Sequence, residues 1–477
     1  MHDHLVVASN RGPVSWHHED GLPIAKRGFG GLVTALGGAL QQEPGTWVSV
    51  ALSGADREVA AHNRGKPFTV DTADAVYQLR LVDAGERYDA YYNEVGNRLL
   101  WFTLHGMWGE PFEPRGVGWR EPWEDAYLPV NELVADAVAE AAADGAEVYL
   151  QDYHLGMTPR IVREQLPRAP VLHYLHTPWP EPAALRRLPD PVAHDLLRAL
   201  LAADVVGLSS PRWARAFRQC AHELLGAAID GEIIEFEGRR TTVADFVLGV
   251  DPSDLAATAA SDAVAEAGER LAAELDGRRL ILRVDRTDLS KNILRGLLAY
   301  EVLLERHPEH RGRVWHYAHL NPSRQGVAEY RDYLAACLDA AARIQERFGE
   351  DCLRVFVGDD HPMAVAALRR SDVLVANPVT DGTNLVVKEG AVLNDRGGVI
   401  VLSRTAGAAD VLGTGAMLVN PYDVEELADA MHRALRMPAD ERAERAERMR
   451  RASCAGSPTE WFHAQRQLLR SVVARRR

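Results

Sequence analysis

Short apolar runs alternate with longer helix-period stretches along the whole chain, and this alternation restricts the fold more than any other feature. HLVVASN at 4–10, AEVYLQD at 146–152, APVLHYLH at 169–176 and ADVVGLSS at 203–210 are the clearest runs of the first half. RRLILRVD at 278–285, RVWHYAHL at 313–320, DCLRVFVG at 351–358, SDVLVANP at 371–378 and GGVIVLS at 397–403 follow in the second. Polar, Gly or Pro residues bound each run, and many runs are apolar on both faces, as strands of a helix-covered parallel sheet must be. The intervening stretches place apolar residues at helical spacing, as in Ile293, Leu294, Leu297, Leu298, Val302 and Leu303. The pattern predicts an α/β architecture, two doubly wound units in tandem.

The boundary falls near 247–260, where FVLGVDPSDLAATAAS passes from a strand through Gly249 and Pro252 into an alanine-rich helical stretch. We expect one domain over 1–247, with a C-terminal helix at about 460–477 packing back on it, and a second over 248–459. A chain of 477 residues buries enough core to need neither disulfides nor a structural metal. Its net charge of −14 argues against a nucleic-acid binder, so any anion site must be local. The four cysteines, at 220, 337, 352 and 454, form no C-x-x-C pair and no zinc spacing, and read as free thiols in a reducing compartment. No apolar run has membrane-spanning length, and the chain opens directly into a strand, so the expected location is cytoplasmic. The run PADERAERAERMRR pairs Glu441 with Arg445 and Glu444 with Arg448 at i,i+4, which suits a solvated helix.

Ligands of open α/β sheets collect beyond the carboxyl ends of the strands. After the first strand come Ser9-Asn10-Arg11-Gly12-Pro13, and later Lys26-Arg27-Gly28-Phe29-Gly30-Gly31-Leu32 leads into a helix. Glycines let backbone approach an anion and helix starts offer free N–H donors. Position 33 is valine, so the dinucleotide pattern G-x-G-x-x-G is not met, and a plain strand-turn-helix reads equally well. The strand RRLILRVD runs into Arg286-Thr287-Asp288-Leu289-Ser290-Lys291 and then a helix. Its arginine and lysine suit a departing diphosphate; the alternative is two surface cations paired with Asp285 and Asp288.

SDVLVANP runs into Thr380-Asp381-Gly382-Thr383-Asn384-Leu385 and a helix bearing Lys388 and Glu389. An aspartate there can be a simple helix cap, but carboxylate, amide and glycine together also suit sugar hydroxyls and phosphate. Asp152-Tyr153-His154 and His176-Thr177-Pro178-Trp179-Pro180 follow two strands of the first half. His173 and His176 lack a carboxylate or cysteine nearby to complete a metal site.

In their order, SNRGPV and GGL, YYNEVGNRLLW, QDYHL, LHTPWP, VDRTDLSKN, NPSRQGVAEY, PVTDGTNLVVKEG and LVNPYD resemble the trehalose-6-phosphate synthase family over nearly the whole chain. That family comprises retaining glycosyltransferases of the GT-B fold, two Rossmann-like domains facing each other across a cleft. The resemblance implies transfer of glucose from a nucleotide donor to glucose 6-phosphate, giving α,α-trehalose 6-phosphate. It implies that Arg11 and Arg324 hold the acceptor phosphate, with Tyr92 and Trp101 lining that pocket. Gly31 would approach the donor diphosphate, and Arg286 and Lys291 would grip it as the nucleotide departs. His176 would meet the donor glucose near its 6-hydroxyl, and Asp152 the hydroxyls around the reacting centre. Asp381 and the amides of Gly382, Thr383 and Asn384 would hold the glucose, the Leu385 amide the diphosphate, and Glu389 the ribose. No metal or other cofactor is implied, because Arg286 and Lys291 supply the charge a magnesium ion supplies elsewhere. No carboxylate stands out as a covalent nucleophile, which fits the family's front-side, substrate-assisted route.

Four positions depart from the family pattern. Val50 stands where a second tryptophan usually follows the one at Trp47, Thr383 replaces a frequent methionine, and RTDLSKN differs from the commoner R-x-D-Y-S-K-G at Leu289 and Asn292. The last two positions resemble the related pseudoglycosyltransferases, which join cyclitols through nitrogen; Tyr92 and Trp101 favour glucose 6-phosphate. The alternatives are a pseudoglycosyltransferase or related enzyme with another sugar- or cyclitol-phosphate acceptor, or a non-catalytic sugar-phosphate sensor, which has no need of Arg286, Lys291, Asp381, Glu389 and His176 together. The sequence leaves open the donor base (uracil, guanine or adenine) and the oligomeric state, homo-oligomers being common among relatives.

Overall fold

The computed structural model describes residues 4–27, 36–37, 45–72, 75–108, 118–143 and 145–476. Gly31 lies outside the described residues, as do the others at 28–35. The chain divides into two compact units, unit 1 formed by Met1–Leu248 with Pro458–Arg477 and unit 2 by Gly249–Ser457.

Unit 1 contributes β1 (Leu5–Ser9), a hairpin of β2 (Val14–Glu19) and β3 (Leu22–Arg27), β4 (Gly45–Val50), β5 (Phe68–Thr72) and β6 (Ala75–Val82). Then come β7 (Glu147–Gln151), β8 (Val171–Leu175), β9 (Val205–Leu208), β10 (Ala228–Asp230), β11 (Ile233–Phe236) and β12 (Arg239–Asp245). Its main sheet has the order β10-β11-β12-β9-β8-β7-β1-β4-β6-β5, parallel from β12 to β6 and antiparallel at both edges. β1, β7 and β8 are buried along their whole length, which explains their largely apolar character. The strand order reverses between β1 and β7, the switch point of a doubly wound sheet.

Helix Pro458–Ala474 completes unit 1. Its Trp461, Phe462 and Leu469 are buried, and Arg466 Nε reaches Glu147 Oε2 at 2.8 Å, a carboxylate that Arg470 also binds.

Unit 2 contributes β13 (Arg279–Arg286), β14 (Val314–Asn321), β15 (Leu353–Val357), β16 (Val373–Ala376), β17 (Val399–Ser403) and β18 (Met417–Val419). They form an all-parallel sheet in the order β15-β14-β13-β16-β17-β18, with its switch point between β13 and β16. One apolar core covers each face of this sheet. Leu271, Leu280, Leu282 and Val387 belong to one, and Ile281, Leu297, Leu303 and Val375 to the other. Alternate β13 side chains thus enter opposite cores, as the two-residue period of a strand requires. Helix Ala439–Cys454 carries the Glu441–Arg445 and Glu444–Arg448 pairs. No helix among the described residues is long and apolar enough to cross a membrane, and all four cysteines are free thiols.

Candidate functional site

Both units place most of their candidate residues just beyond the carboxyl ends of parallel strands, while Tyr92 and Trp101 of unit 1 lie on helical stretches. Each set is built in its own way.

In unit 1 the loop after β1 is drawn tightly against the sheet. A Cβ on Gly12 would lie 2.6 Å from Ser49 Oγ, so the sharp exit after Arg11 needs glycine. Ser9 Oγ donates to Arg11 O at 2.5 Å and accepts from Trp47 Nε1 at 2.7 Å. Asn10 is buried and accepts from Tyr91 Oη at 3.1 Å, whereas Arg11 is exposed. Val50 is buried in β4, and its amide donates to Asn10 O at 3.2 Å. The residue standing in place of the usual second tryptophan thus braces the loop that carries Arg11.

Tyr92 comes from a π-helical stretch, Ala90–Leu100. Its ring is sandwiched between Tyr88 and His154, with centroids 5.4 Å away on either side and interplanar angles of 12° and 11°. A Cβ on Gly96 would lie 3.1 Å from His154 Cδ2, so the glycine of YYNEVGNRLLW makes room for that histidine. Trp101 is buried, stacks on His105 at 3.9 Å and tilts against Tyr153 at 5.7 Å.

Asp152 sits at φ 67°, in the left-handed region, immediately after β7. Its amide donates to Tyr174 O at 2.7 Å, and its carbonyl meets His173 Nε2 at 3.1 Å. His173 therefore has a packing role: burial holds its pKa near 3, neutral at physiological pH. His176 Nε2 meets Gln151 Oε1 at 3.0 Å, and its ring sits edge-on to Tyr174. Burial pulls His176 down to about 4, so this imidazole too is neutral at pH 7.

In unit 2 the equivalent loops are charged. Arg286 is about half exposed, with Nη2 3.6 Å from the buried Asp288 carboxylate. Lys291 ends a short 3₁₀ turn, Leu289–Lys291, and its Nζ lies 2.5 Å from Asp381 Oδ2. Burial lowers the Lys291 pKa, but Asp381 and Asp285 more than offset this and leave it above its ordinary value. Asp381 also accepts from Asn384 Nδ2 at 3.1 Å. The cap of helix Leu385–Leu393 is Asn384, whose Oδ1 accepts from Val387 N at 3.3 Å, so Asp381 is not spent on capping. Gly382 is buried, Thr383 and Leu385 are half-buried, and so is Glu389, whose carboxyl pKa burial raises. Burial likewise pulls the neighbouring Lys388 down to about 8.

Arg324 lies in the loop after β14 at φ 47°. Its side chain is largely covered, with Nη1 2.9 Å from Asp288 Oδ2 and 2.5 Å from Tyr330 Oη. Asp288 therefore anchors both Arg286 and Arg324, a sharing the sequence reading missed. It also overlooked Arg283, fully buried in mid-strand, whose Nη1 lies 3.4 Å from Asp285 and donates to Lys291 O at 3.1 Å; Asn377 Oδ1 accepts from its Nη2. Burial lifts the Asp285 carboxyl to about 6 despite Arg283 and Lys291. The spacing R-x-D at 283–285 and again at 286–288 was the available clue, since i,i+2 residues of a strand share a face.

Asn292 accounts for one departure from the family pattern. It adopts φ 57°, a left-handed conformation open to glycine and tolerated by asparagine, while its Nδ2 donates to Asn377 O at 2.9 Å and Pro421 O at 2.7 Å. Asparagine in place of glycine is thus a backbone matter. Of the eight non-glycine residues at positive φ among the described residues, Asp152, Asn292, Arg324 and Asn384 all belong to these loops. Such conformations persist where surrounding contacts fix a functional geometry.

Comparison with known proteins agrees with the chemistry of these loops. The family model described as glycosyltransferase family 20 matches residues 3–471. The chain is 33% identical over 471 residues to a probable alpha,alpha-trehalose-phosphate synthase (UDP-forming) 2 of Arabidopsis thaliana, covering 96% of this chain but only 56% of that protein. It is 32% identical over 462 residues to the alpha,alpha-trehalose-phosphate synthase (UDP-forming) 2 of Aspergillus niger, covering 94% and 93% of the two chains. Among solved structures, one described as trehalose-6-phosphate from E. coli bound with UDP-2-fluoro glucose superposes with a TM-score of 0.85 at 28% identity, covering 99% of both chains. The alpha,alpha-trehalose-phosphate synthase (UDP-forming) from Burkholderia xenovorans, in complex with glucose-6-phosphate, gives a TM-score of 0.83 at 26% identity, covering 98% of this chain and 100% of that one. With its two Rossmann-like sheets and a match over nearly its whole length, the chain belongs to glycosyltransferase family 20.

Proposed function

We propose that this enzyme transfers glucose from a nucleotide-glucose donor to glucose 6-phosphate, forming α,α-trehalose 6-phosphate with retention at the donor carbon. The observation that carries the reading is the meeting of Lys291 with Asp381, 90 residues apart in sequence, beside Arg286 at the switch point of unit 2. A fixed cation pair at that place suits a diphosphate whose negative charge grows as it leaves. Arg286 and Lys291 stabilise that leaving group, and the raised Lys291 pKa keeps it cationic at neutral pH. Asp381 and the amides of Gly382, Thr383 and Asn384 hold the glucose, the Leu385 amide meets the diphosphate, and Glu389 meets the ribose. Gly31 is assigned to the same diphosphate.

His176 acts as a neutral hydrogen-bond partner. With Nε2–H donating to Gln151 Oε1, Nδ1 is left as an acceptor for the 6-hydroxyl of the donor glucose. Asp152, in its constrained conformation, binds hydroxyls at the reacting centre. Arg11 and Arg324 bind the acceptor phosphate, and Tyr92 and Trp101 line the acceptor sugar. Asp381 is committed to Lys291 and Asn384, which supports a route without a covalent glycosyl-enzyme. We take UDP-glucose as the donor, from the relatives' UDP-forming names, and assign the enzyme to the cytoplasm, where four free thiols are stable.

The test is incubation with glucose 6-phosphate and UDP-, GDP- or ADP-glucose in turn, with the product identified by NMR. Trehalose 6-phosphate from UDP-glucose supports the reading. Binding without turnover from any donor would identify a sensor, and a nitrogen-linked product formed only with an aminocyclitol phosphate would identify a pseudoglycosyltransferase. Light scattering on the same sample reads the self-association common among relatives.

A further inference from the structure

The helical layer of unit 2 carries a side-chain cluster for which glycosyl transfer has no use. Helix Ile293–Arg306 ends at His307, and the chain turns at once through Pro308–His310. Helix Val424–Arg436 packs alongside and presents His432 to this turn. The His307 and His432 rings stack with centroids 3.6 Å apart and planes 13° from parallel. His432 Nδ1 lies 2.9 Å from His310 Nε2, and His307 Nδ1 lies 3.5 Å from the Glu309 carboxylate. One ligand atom from each of His307, Glu309 and His432 falls within 4.8 Å of the other two. His307 and His432 also line a surface depression with Asp423, Glu425, Glu426 and Asp429. Arg433 lines it too, and Arg306 is paired with Glu425 at 2.8 Å.

We propose that His307, Glu309 and His432 bind a divalent late first-row transition ion, with Zn²⁺ as its representative, and that His310 orients His432. Two imidazoles and a carboxylate make a three-ligand set that leaves a fourth position for water. Imidazole selects Zn²⁺, Ni²⁺ and Cu²⁺ over Mg²⁺ and Ca²⁺. His432 is bonded to His310 through Nδ1, which leaves Nε2 for the ion; a ligating histidine is commonly held this way by a second group. Donor atoms about 2.0–2.1 Å from a tetrahedral zinc sit about 3.4 Å apart. Binding therefore requires the three groups to draw together and the stacked His307 and His432 rings to turn out of their stack, so that both ring planes converge on the ion. The carboxylates around the depression supply a favourable field for a cation.

The ion would not touch the transfer chemistry. Helix Ile293–Arg306 starts beside Lys291 and ends beside His307, so its 14 residues separate the cluster from the proposed diphosphate residues by about 20 Å. The ion would join two elements 122 residues apart in sequence and act as a clip on the fold. This proposal is independent of the transfer reading.

Metal-free full-length protein titrated with Zn²⁺ against a chromophoric chelator, followed by thermal unfolding with and without Zn²⁺, tests it. The expected result is one Zn²⁺ per chain and a Tm raised by a few degrees, with Mg²⁺ and Ca²⁺ inactive in both measurements. His307→Ala and His432→Ala should each abolish the stoichiometric site, and His310→Phe should weaken it about 10–100-fold, the usual cost of losing the group behind a ligand. The exposed Glu309→Gln, which no packing requirement affects, keeps the test open if a histidine variant fails to fold, and should weaken binding at least tenfold. Wild-type protein that binds no Zn²⁺ at micromolar concentration, or a folded His432→Ala that retains its equivalent, would overturn the proposal. So would a cobalt derivative showing thiolate charge transfer.

Discussion

The two units repeat one topology, a parallel sheet with candidate residues at its switch point, yet they furnish that point with different chemistry. In unit 1 the loop residues are mostly neutral and aromatic. Tyr88, Tyr92 and His154 form a three-ring stack, Trp101 lies on His105, and His176 is held neutral by burial. The cation is the exposed Arg11. In unit 2 the same positions hold Arg286, Lys291 and Arg324, each beside a carboxylate from Asp288 or Asp381. Ring faces and neutral hydrogen-bond partners suit a hexose, whose ring presents C–H faces and hydroxyls. Fixed cations suit a diphosphate. The difference shows that topology selects where ligands bind, and the loop residues select which ligand.

The comparison implies that the loops at the switch point of unit 2 depend on charge for their stability where the loops of unit 1 do not. Arg283→Leu should destabilise unit 2 by about 3–5 kcal/mol, because it leaves the buried Asp285 and Asn377 without their partner. The matched change in unit 1 is Tyr91→Phe, which removes only the neutral bond to Asn10 and should cost about 1 kcal/mol. Urea unfolding of both variants measures the contrast. Equal losses would break it.

The next largest effect is catalytic. Arg286→Ala and Lys291→Ala should each lower kcat by about two to three orders of magnitude, the usual cost of one preorganised charge donor. Near-normal turnover in either variant would remove the proposed role. Lys291→Ala also leaves Asp381 without its cation, so the two variants should differ in Tm although they agree in rate.

Arg11 and Arg324 sharpen the contrast further. Both are assigned to the acceptor phosphate, and each change to alanine should raise the KM for glucose 6-phosphate by the equivalent of about 1.5–3 kcal/mol. Arg11 is exposed, so Arg11→Ala should leave the Tm unchanged. The Arg324 side chain is largely covered against Asp288 and Tyr330, so Arg324→Ala should lower the Tm as well. Unphosphorylated glucose should be a poor acceptor that loses little further in Arg11→Ala. If glucose serves as well as its phosphate, or if Arg324→Ala weakens only the donor, the assignment is wrong.

Much of this was legible in the sequence because it is local. All nine apolar runs became strands, and burial on both faces accounts for the continuous apolar character of all but the edge strand β15, while the loops after β13 and β16 carry their charges in plain view. Sheet order was not legible, because pairing β13 with β16 depends on contacts some 90 residues apart. Hairpin β2–β3 and the antiparallel edge strands went unread, because their residues alternate or are polar and the helix-covered pattern does not describe them, and so did the parallel strands β4, β6 and β18. The sharing of Asp288 by Arg286 and Arg324 joins residues from two loops, and no spacing reveals it. The π-helical setting of Tyr92 was likewise hidden, because a wider helical turn leaves no mark in the hydrophobic period.

The smallest expected effect is in the pH dependence of stability, where His173 and His176 of unit 1 and Asp285 of unit 2 should respond with opposite signs, the buried His316 of unit 2 following the unit 1 histidines. In unit 1, burial holds His173 at about 3 and His176 at about 4, below the 6.5 of an unfolded histidine. Between pH 6.5 and 4 the unfolded chain takes up protons that the folded unit refuses, so these groups lose stability as the pH falls. In unit 2, burial lifts Asp285 to about 6, above the 3.8 of its unfolded state. Here the folded unit takes up the proton first, so this group adds stability as the pH falls through 6 and saturates below 4. The gap corresponds to an upper bound of roughly 3 kcal/mol, and rearrangement around a buried charge reduces the expected effect to about 1 kcal/mol. Asp285→Asn should abolish this gain. Wild-type protein should therefore compare more favourably with the variant at pH 5 than at pH 7 in urea unfolding, whereas His176→Gln should lessen the acid loss in unit 1. If Asp285→Asn follows the wild type in parallel across this range, the carboxylate is already neutralised by Arg283 and Lys291, and charge in unit 2 is balanced more completely than its burial implies.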